Sequence, residues 1–190
     1  MKVNIIKEER VFDNFFKINR AQLEHELFNG EMSGLMTRLN FERGDSVAAI
    51  VFNTDNSEAV FVKQFRYPAY TKGLGWLVET IAGVIDKGES PEAAIKREIL
   101  EELGYEITYT EKIATFFVSP GGTSERIILF YTEVGNSLKT QNGGGRAGEQ
   151  EDIQAVTYTL PELAAALKKN EIMDAKTIIG VNYLLSKKGY

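Results

Sequence analysis

Residues 83–105 read GVIDKGESPEAAIKREILEELGY, a stretch that gathers Asp86, Glu89, Glu98, Glu101 and Glu102 into a short span. Like charges three or four residues apart on a helix repel by about 0.2–0.5 kcal/mol per pair. Such a cluster is either a solvated acidic face or a site for a cation. Composition narrows the chemistry. The chain has no cysteine and a single histidine, His25, which excludes disulfides, thiolate zinc sites and thiol nucleophiles and argues against a multi-histidine site. What remains is carboxylate chemistry, suited to hard cations such as Mg²⁺ or Mn²⁺.

At 190 residues with 43% hydrophobic and 26% charged side chains, the chain fits an ordinary globular protein with a real core. Its net charge of −5 and the lack of any Lys/Arg run argue against nucleic-acid binding. An anionic substrate would need something other than net charge to attract it, and a divalent metal would serve. The opening segment MKVNIIKEERVFDNFF carries charges and no long apolar stretch. It reads as neither a signal peptide nor a membrane span, so the expectation is a cytoplasmic protein with no membrane partner.

The elements that must position the carboxylates follow from periodicity. Residues 90–104 form the clearest helix: Ser90 is a good N-cap, Pro91 suits the first helical position and Gly104 ends it. Ile95, Ile99 and Leu103 share a stripe spaced by four, with Glu98 and Glu102 at its edge and Arg97 and Glu101 turned further toward the opposite side. Residues 12–43 alternate around the turn FNGEMSG and read as an N-terminal strand pair. VAAIVFN, AVFVKQFRY, WLVETIAG, YEITYTEKIATFFVSP, RIILFYTEV and DIQAVTYTL each read as strands, with PAYTKGLG and PGGTSE as loops. SLKTQNGGGRAGEQ reads as a flexible glycine-rich loop, too long for a compact fold unless functional. PELAAALKK and AKTIIGVNYLLSK read as closing helices. His25 reads as a surface or interface residue, and Trp76 as a packed one, although Trp76 and Tyr70 could also stack on a base.

Written as a pattern, the acidic stretch is Gly83, five residues, Glu89, seven residues, Arg97-Glu98, Ile99, any residue, Glu101-Glu102, any residue, Gly104 and Tyr105. This resembles the Nudix box at every fixed position. Seven fixed identities would arise by chance about once in 10⁶ chains of this length, so the match is not accidental. The resemblance implies an α/β (α+β) Nudix fold, a mixed β-sheet sandwiched between helices, with an N-terminal antiparallel strand extension. It implies that Glu98 and Glu102 hold Mg²⁺ or Mn²⁺ while Arg97 clamps Glu89. Gly83 permits the sharp turn after the strand, and Gly104 completes the motif. Glu101 is a third ligand, a catalytic group or part of the acidic wall. The reaction class is hydrolysis of a nucleoside diphosphate linked to another group.

WLVETIAG, SPGGTSER and AGEQEDI are similar to the ADP-ribose pyrophosphatase branch, which includes the bacterial GDP-mannose pyrophosphatases. GGG at 143–145 and EIMDAKTI look like the GDP-mannose side, SPGGTSER like the ADP-ribose side. In that branch the residue at Ala82 lends a backbone carbonyl to a metal. A mobile loop brings in a further glutamate as general base or ligand, here Glu149 or Glu151. Arg66, sixteen residues before Ala82, stands where the branch places a phosphate- or ribose-contacting arginine. Arg43 and Glu125 are further substrate candidates, and dimers are common. The expected organisation is residues 1–43 as an extension for homodimerisation and 44–190 as the hydrolase domain, acting on a nucleotide sugar. The competing readings are a hydrolase of nucleoside triphosphates or dinucleoside polyphosphates, and a non-catalytic nucleotide-sugar sensor.

Overall fold

The run SVAAIVFN forms strand β4 (Ser46–Asn53), buried along its whole length, and both of its faces are covered. Val47, Ala49 and Val51 join Ile95, Ile99, Leu103 and Phe130 in one core cluster. Ile50 and Phe52 join Phe61, Leu163, Val181 and Leu184 in another. A strand covered on both sides has no reason to alternate with polar residues, hence the unbroken apolar run.

The computed structural model describes residues 1–145 and 152–190. It divides into two units, Met1–Gly44 with Phe117–Arg126, and Asp45–Phe116 with Ile127–Tyr190. In the first unit β1 (Val3–Asp13), β2 (Lys17–His25) and β3 (Met36–Glu42) form an antiparallel meander in the order β1-β2-β3. The strand pair expected over 12–43 is thus three strands. Register shifts between Ile5 and Lys7 and between Arg10 and Phe12 break the two-residue alternation of β1, which hides it from a periodicity reading.

In the second unit, the described residues form a sheet in the order β10 (Ile153–Thr159), β5 (Glu58–Phe65), β4, β9 (Arg126–Val134), β8 (Glu111–Phe117). β6 (Trp76–Glu79) pairs with β5, and β7 (Ile81–Val84) with β4. Because β4 runs parallel to β9 but antiparallel to β5 and β7, the sheet is mixed. Helix α1 (Tyr67–Tyr70) is a single turn that begins at the last residue of AVFVKQFRY and runs into PAYTKGLG. Helix α2 (Pro91–Leu103) covers one face, and α3 (Leu160–Lys168) with α4 (Ala175–Lys187) the other. The expected mixed sheet between helices is what the chain forms. No helix among the described residues is long and apolar enough to cross a membrane.

Three local findings set up the site. WLVETIAG is two strands rather than one, broken at the fully buried Thr80. The Thr80 N–H donates to Thr177 Oγ1 at 2.7 Å and its hydroxyl donates to the Ala49 carbonyl, so the break is bonded on both sides. Helix α2 begins with Ser90 Oγ accepting from the Ala93 N–H and ends at Gly104, whose φ of 79° only glycine adopts readily. Its stripe of Ile95, Ile99 and Leu103 is at most 1% exposed, worth about 1.5–3 kcal/mol per side chain. Finally, the start of the glycine-rich segment is bonded structure. After a short 3₁₀ turn at Asn136–Leu138, Gly144 and Gly145 donate N–H bonds to the Glu102 and Glu101 carbonyls at 2.9 and 3.1 Å, capping the end of α2. Of YEITYTEKIATFFVSP only Glu111–Phe117 is strand.

Candidate active site

The acidic face of α2 lies against β7 because glycine leaves room for it. A Cβ on Gly83 would collide with the Glu98 carboxylate, so Glu98 rests on the strand backbone beside Ala82. One turn further on, Glu102 is 4% exposed, and Glu101 is partly exposed. Arg97 ties this region together. Its Nε and Nη2 donate to Glu89 at 3.0 Å each, Nη2 also to the Val84 carbonyl at 3.2 Å, and Nη1 to Glu98 at 2.6 Å and Glu101 at 3.2 Å. One guanidinium thus joins strand end, loop and helix. The hydrogen bonds it donates to Glu89 push its pKa up most, burial opposes them, and Glu98 adds to the rise. The sequence reading turned Arg97 and Glu101 away from Glu98. The long arginine side chain instead reaches around the helix and bridges both carboxylates.

Among the described residues no group of three or more His, Cys, Asp or Glu side chains is arranged to hold a metal ion. The donors present are Glu98 and Glu102 on successive turns, with the Ala82–Gly83 backbone alongside Glu98. Oxygen donors, and a seat for one carboxylate that any side chain at position 83 would fill, fit a hard divalent cation. Glu149 and Glu151 lie outside the described residues. The chain enters that stretch from the end of α2 and leaves it at β10, where Ile153 pairs with Gln64 of β5.

Arg66 follows β5 directly and forms a two-pronged pair with Glu79, Nε and Nη2 each donating at 2.9 Å. Lys176 Nζ donates to the same carboxylate at 2.8 Å and pairs with Asp174 at 3.0 Å. Asp174 in turn caps α4, accepting from the Thr177 N–H and hydroxyl at 3.0 and 2.6 Å. Glu79 is 3% exposed. Burial raises its pKa, but the hydrogen bond from Arg66 and the charge of Lys176 bring it net below the usual carboxylate value. For Arg66, burial works against the charge, while bonding to Glu79 and the charges of Glu79, Glu102 and Asp174 more than restore it. Glu102 and Arg66 therefore share one electrostatic field. The sequence reading missed Glu79, Lys176 and Asp174. Its available signals were the lone acid in WLVETIAG and the Asp-x-Lys of EIMDAKTI.

In the first unit Arg43 pairs with Glu125 at 3.5 Å, and its guanidinium lies 5.3 Å from the Phe16 ring centre. Glu125 is 7% exposed. Trp76, expected to be packed, is 53% exposed and meets Phe65 edge-on at 6.0 Å. His25 is half-buried, with Nδ1 3.0 Å from the Glu26 carbonyl.

Residues 42–178 match the NUDIX domain family. The GDP-mannose pyrophosphatase of Citrobacter koseri is 34% identical over 187 residues, 97% of this chain and 96% of that protein. The ADP-ribose pyrophosphatase of Escherichia coli K12 is 35% identical over 184 residues, 96% of this chain and 87% of that protein. A crystal structure of an ADP compounds hydrolase shares the fold with a TM-score of 0.72, covering 99% of this chain and 94% of that one at 17% identity. Pyrophosphatases of this family generally depend on divalent metal ions. The matched segment holds both the Glu98–Glu102 face and the Arg66–Glu79 pair, and the relatives span nearly the whole chain: this protein belongs to the NUDIX family of hydrolases.

Proposed function

We propose that the protein hydrolyses the diphosphate bond of a nucleoside diphosphate sugar, ADP-ribose or GDP-mannose, to a nucleoside monophosphate and a sugar phosphate, with Mg²⁺ or Mn²⁺. The observation that carries this reading is the seating of Glu98 on Gly83 with Glu102 one turn on. Glu98, Glu102 and the Ala82 carbonyl would hold the metal. When bound, the cation neutralises diphosphate charge and lowers the pKa of a coordinated water. Arg97, held by Glu89, fixes the acidic face, while Gly83 and Gly104 set the backbone at its two ends. Arg66 donates to diphosphate oxygens. A loop glutamate, Glu149 or Glu151, accepts the proton of the attacking water as a new P–O bond forms and the bridging P–O bond breaks, leaving the second phosphate with its electron pair. Glu101 supports this acidic wall, Arg43 reaches the substrate, and Glu125 hydrogen-bonds the terminal sugar. Both sugar nucleotides stay in the proposal because relatives named for each resemble the chain about equally, at 34% and 35% identity.

The proposal also takes residues 1–43 as a homodimerisation element and 44–190 as the hydrolase domain. The family match beginning at residue 42 supports this boundary. Ile5, Ile6 and Leu39, on the N-terminal meander, are 57–61% exposed. Light scattering should give the dimer mass, and a monomer at micromolar concentration would contradict this part. The test of function is product analysis with Mg²⁺ over ADP-ribose, GDP-mannose, ADP-glucose, UDP-glucose, NADH and dGTP. Turnover of a sugar nucleotide is expected. Activity confined to dGTP overturns the reading.

A further inference from the structure

We infer that Glu79 is a positioning residue for the substrate site: it fixes the Arg66 guanidinium in the orientation that meets a diphosphate, and Lys176 fixes Glu79 in turn. The inference rests on the reading that Arg66 contacts the diphosphate. Guanidinium carries five N–H donors in a rigid plane. Glu79 occupies Nε and one Nη2 hydrogen, which leaves both Nη1 hydrogens and the other Nη2 hydrogen on the side away from Glu79. Those three donors face outward as a preformed fork, on a side chain that would otherwise sample many rotamers. Arg66 is half-exposed while Glu79 is 3% exposed, so the carboxylate is the fixed partner and the guanidinium the presented one.

Glu79 is itself braced. Lys176 approaches it at 2.8 Å from α4 and is held by Asp174, which caps that helix. The adjacent Thr80 N–H bonds to Thr177 on the same helix turn. Residues from β6 and α4 thereby form a frame behind Arg66 that does not depend on ligand.

Charge and geometry make opposite predictions here. Neutralising Glu79 makes the surroundings of Arg66 more positive, and by charge alone a diphosphate should then bind more tightly. If Glu79 acts by orienting Arg66, binding weakens despite the added positive charge. A carboxylate that merely stapled β6 to α4 would alter stability without acting through Arg66.

The experiment is steady-state kinetics with Mg²⁺ on the nucleotide sugar the wild type turns over, comparing Glu79→Gln, Glu79→Asp, Arg66→Ala and the Arg66→Ala/Glu79→Gln double variant, with thermal melts of each. Glu79→Gln should raise KM about tenfold with kcat within about threefold. In the Arg66→Ala background the same change should alter KM less than about twofold, because the group it orients is gone. Glu79→Asp, which keeps the charge but shortens the reach, should fall between wild type and Glu79→Gln, and it decides the same comparisons if Glu79→Gln does not fold. A KM that falls or stays constant in Glu79→Gln, or an effect undiminished without Arg66, overturns the inference. An unchanged KM in Arg66→Ala removes its premise and overturns it too. Failure of the functional reading shows separately, as a wild type that turns over no nucleotide sugar.

Discussion

Gly83→Ala separates the site from the fold. Alanine suits this strand position, since Gly83 is not among the residues with positive φ, and loss of glycine's freedom in the unfolded chain gains about 0.4–1 kcal/mol. The added methyl, however, falls within the Glu98 side chain. Glu98 Cγ is 2.7 Å from that Cβ position and the carboxylate is closer still. To reach ordinary contact at about 3.5–4.0 Å, the side chain must retreat by about 1 Å or more and weaken its 2.6 Å bond from Arg97. Weakening a charge-assisted bond costs about 1.5–3 kcal/mol at most, so the net destabilisation is about 1–2 kcal/mol, a fall in Tm of about 2–8 °C. A misplacement of that size costs activity far more, about 10²-fold in kcat, and should raise the Mg²⁺ concentration for half-activity about tenfold or more. The assay is a Mg²⁺ titration of turnover beside a thermal melt. Turnover within about threefold of wild type, at unchanged Mg²⁺ demand, would refute the placement of Glu98 as a ligand held against β7.

Further outcomes follow from the same geometry. Glu102→Gln should abolish turnover while the circular dichroism spectrum and melt stay near wild type; near-normal rates would show that the metal assignment is wrong. Arg97→Met leaves Glu89, Glu98 and Glu101 without their shared counter-charge and should cost about 1–3 kcal/mol, partly recovered in millimolar Mg²⁺. Urea denaturation with and without metal checks this, and an unchanged midpoint would count against it. The lowered pKa of Glu79 means that the unfolded chain binds its proton more readily. Its contribution is complete above the usual value near 4.5 and is lost as pH falls through the native value. The stability gap between wild type and Glu79→Gln should therefore narrow as the pH falls below about 4.5, and a constant gap would contradict the pairing.

What was legible in the sequence was local. Ser90, Pro91 and Gly104 mark the limits of α2 by backbone chemistry within a few residues, and the spacing of Ile95, Ile99 and Leu103 names its buried side. The strand break at Thr80 was hidden because both halves of WLVETIAG are apolar, and only the separate partners, β5 and β4, tell them apart. Glu79 and Lys176 were missed for a related reason. Glu79 stands thirteen residues from Arg66 and ninety-seven from Lys176, so strand pairing and helix docking bring them together, and no motif spacing does. Gly143–Gly145 looked like a flexible tract because composition suggests freedom. In the fold their positive φ values, 73°, 105° and 87°, wrap the chain onto the final carbonyls of α2.

The most direct test is diffraction from crystals grown with Mn²⁺ and a non-hydrolysable ADP-ribose or GDP-mannose analogue, using the anomalous signal of manganese. The account predicts a peak bonded to Glu98 and Glu102 with the diphosphate beside it and Arg66 on the phosphate oxygens. An analogue bound at full occupancy with no manganese at those two carboxylates would contradict it.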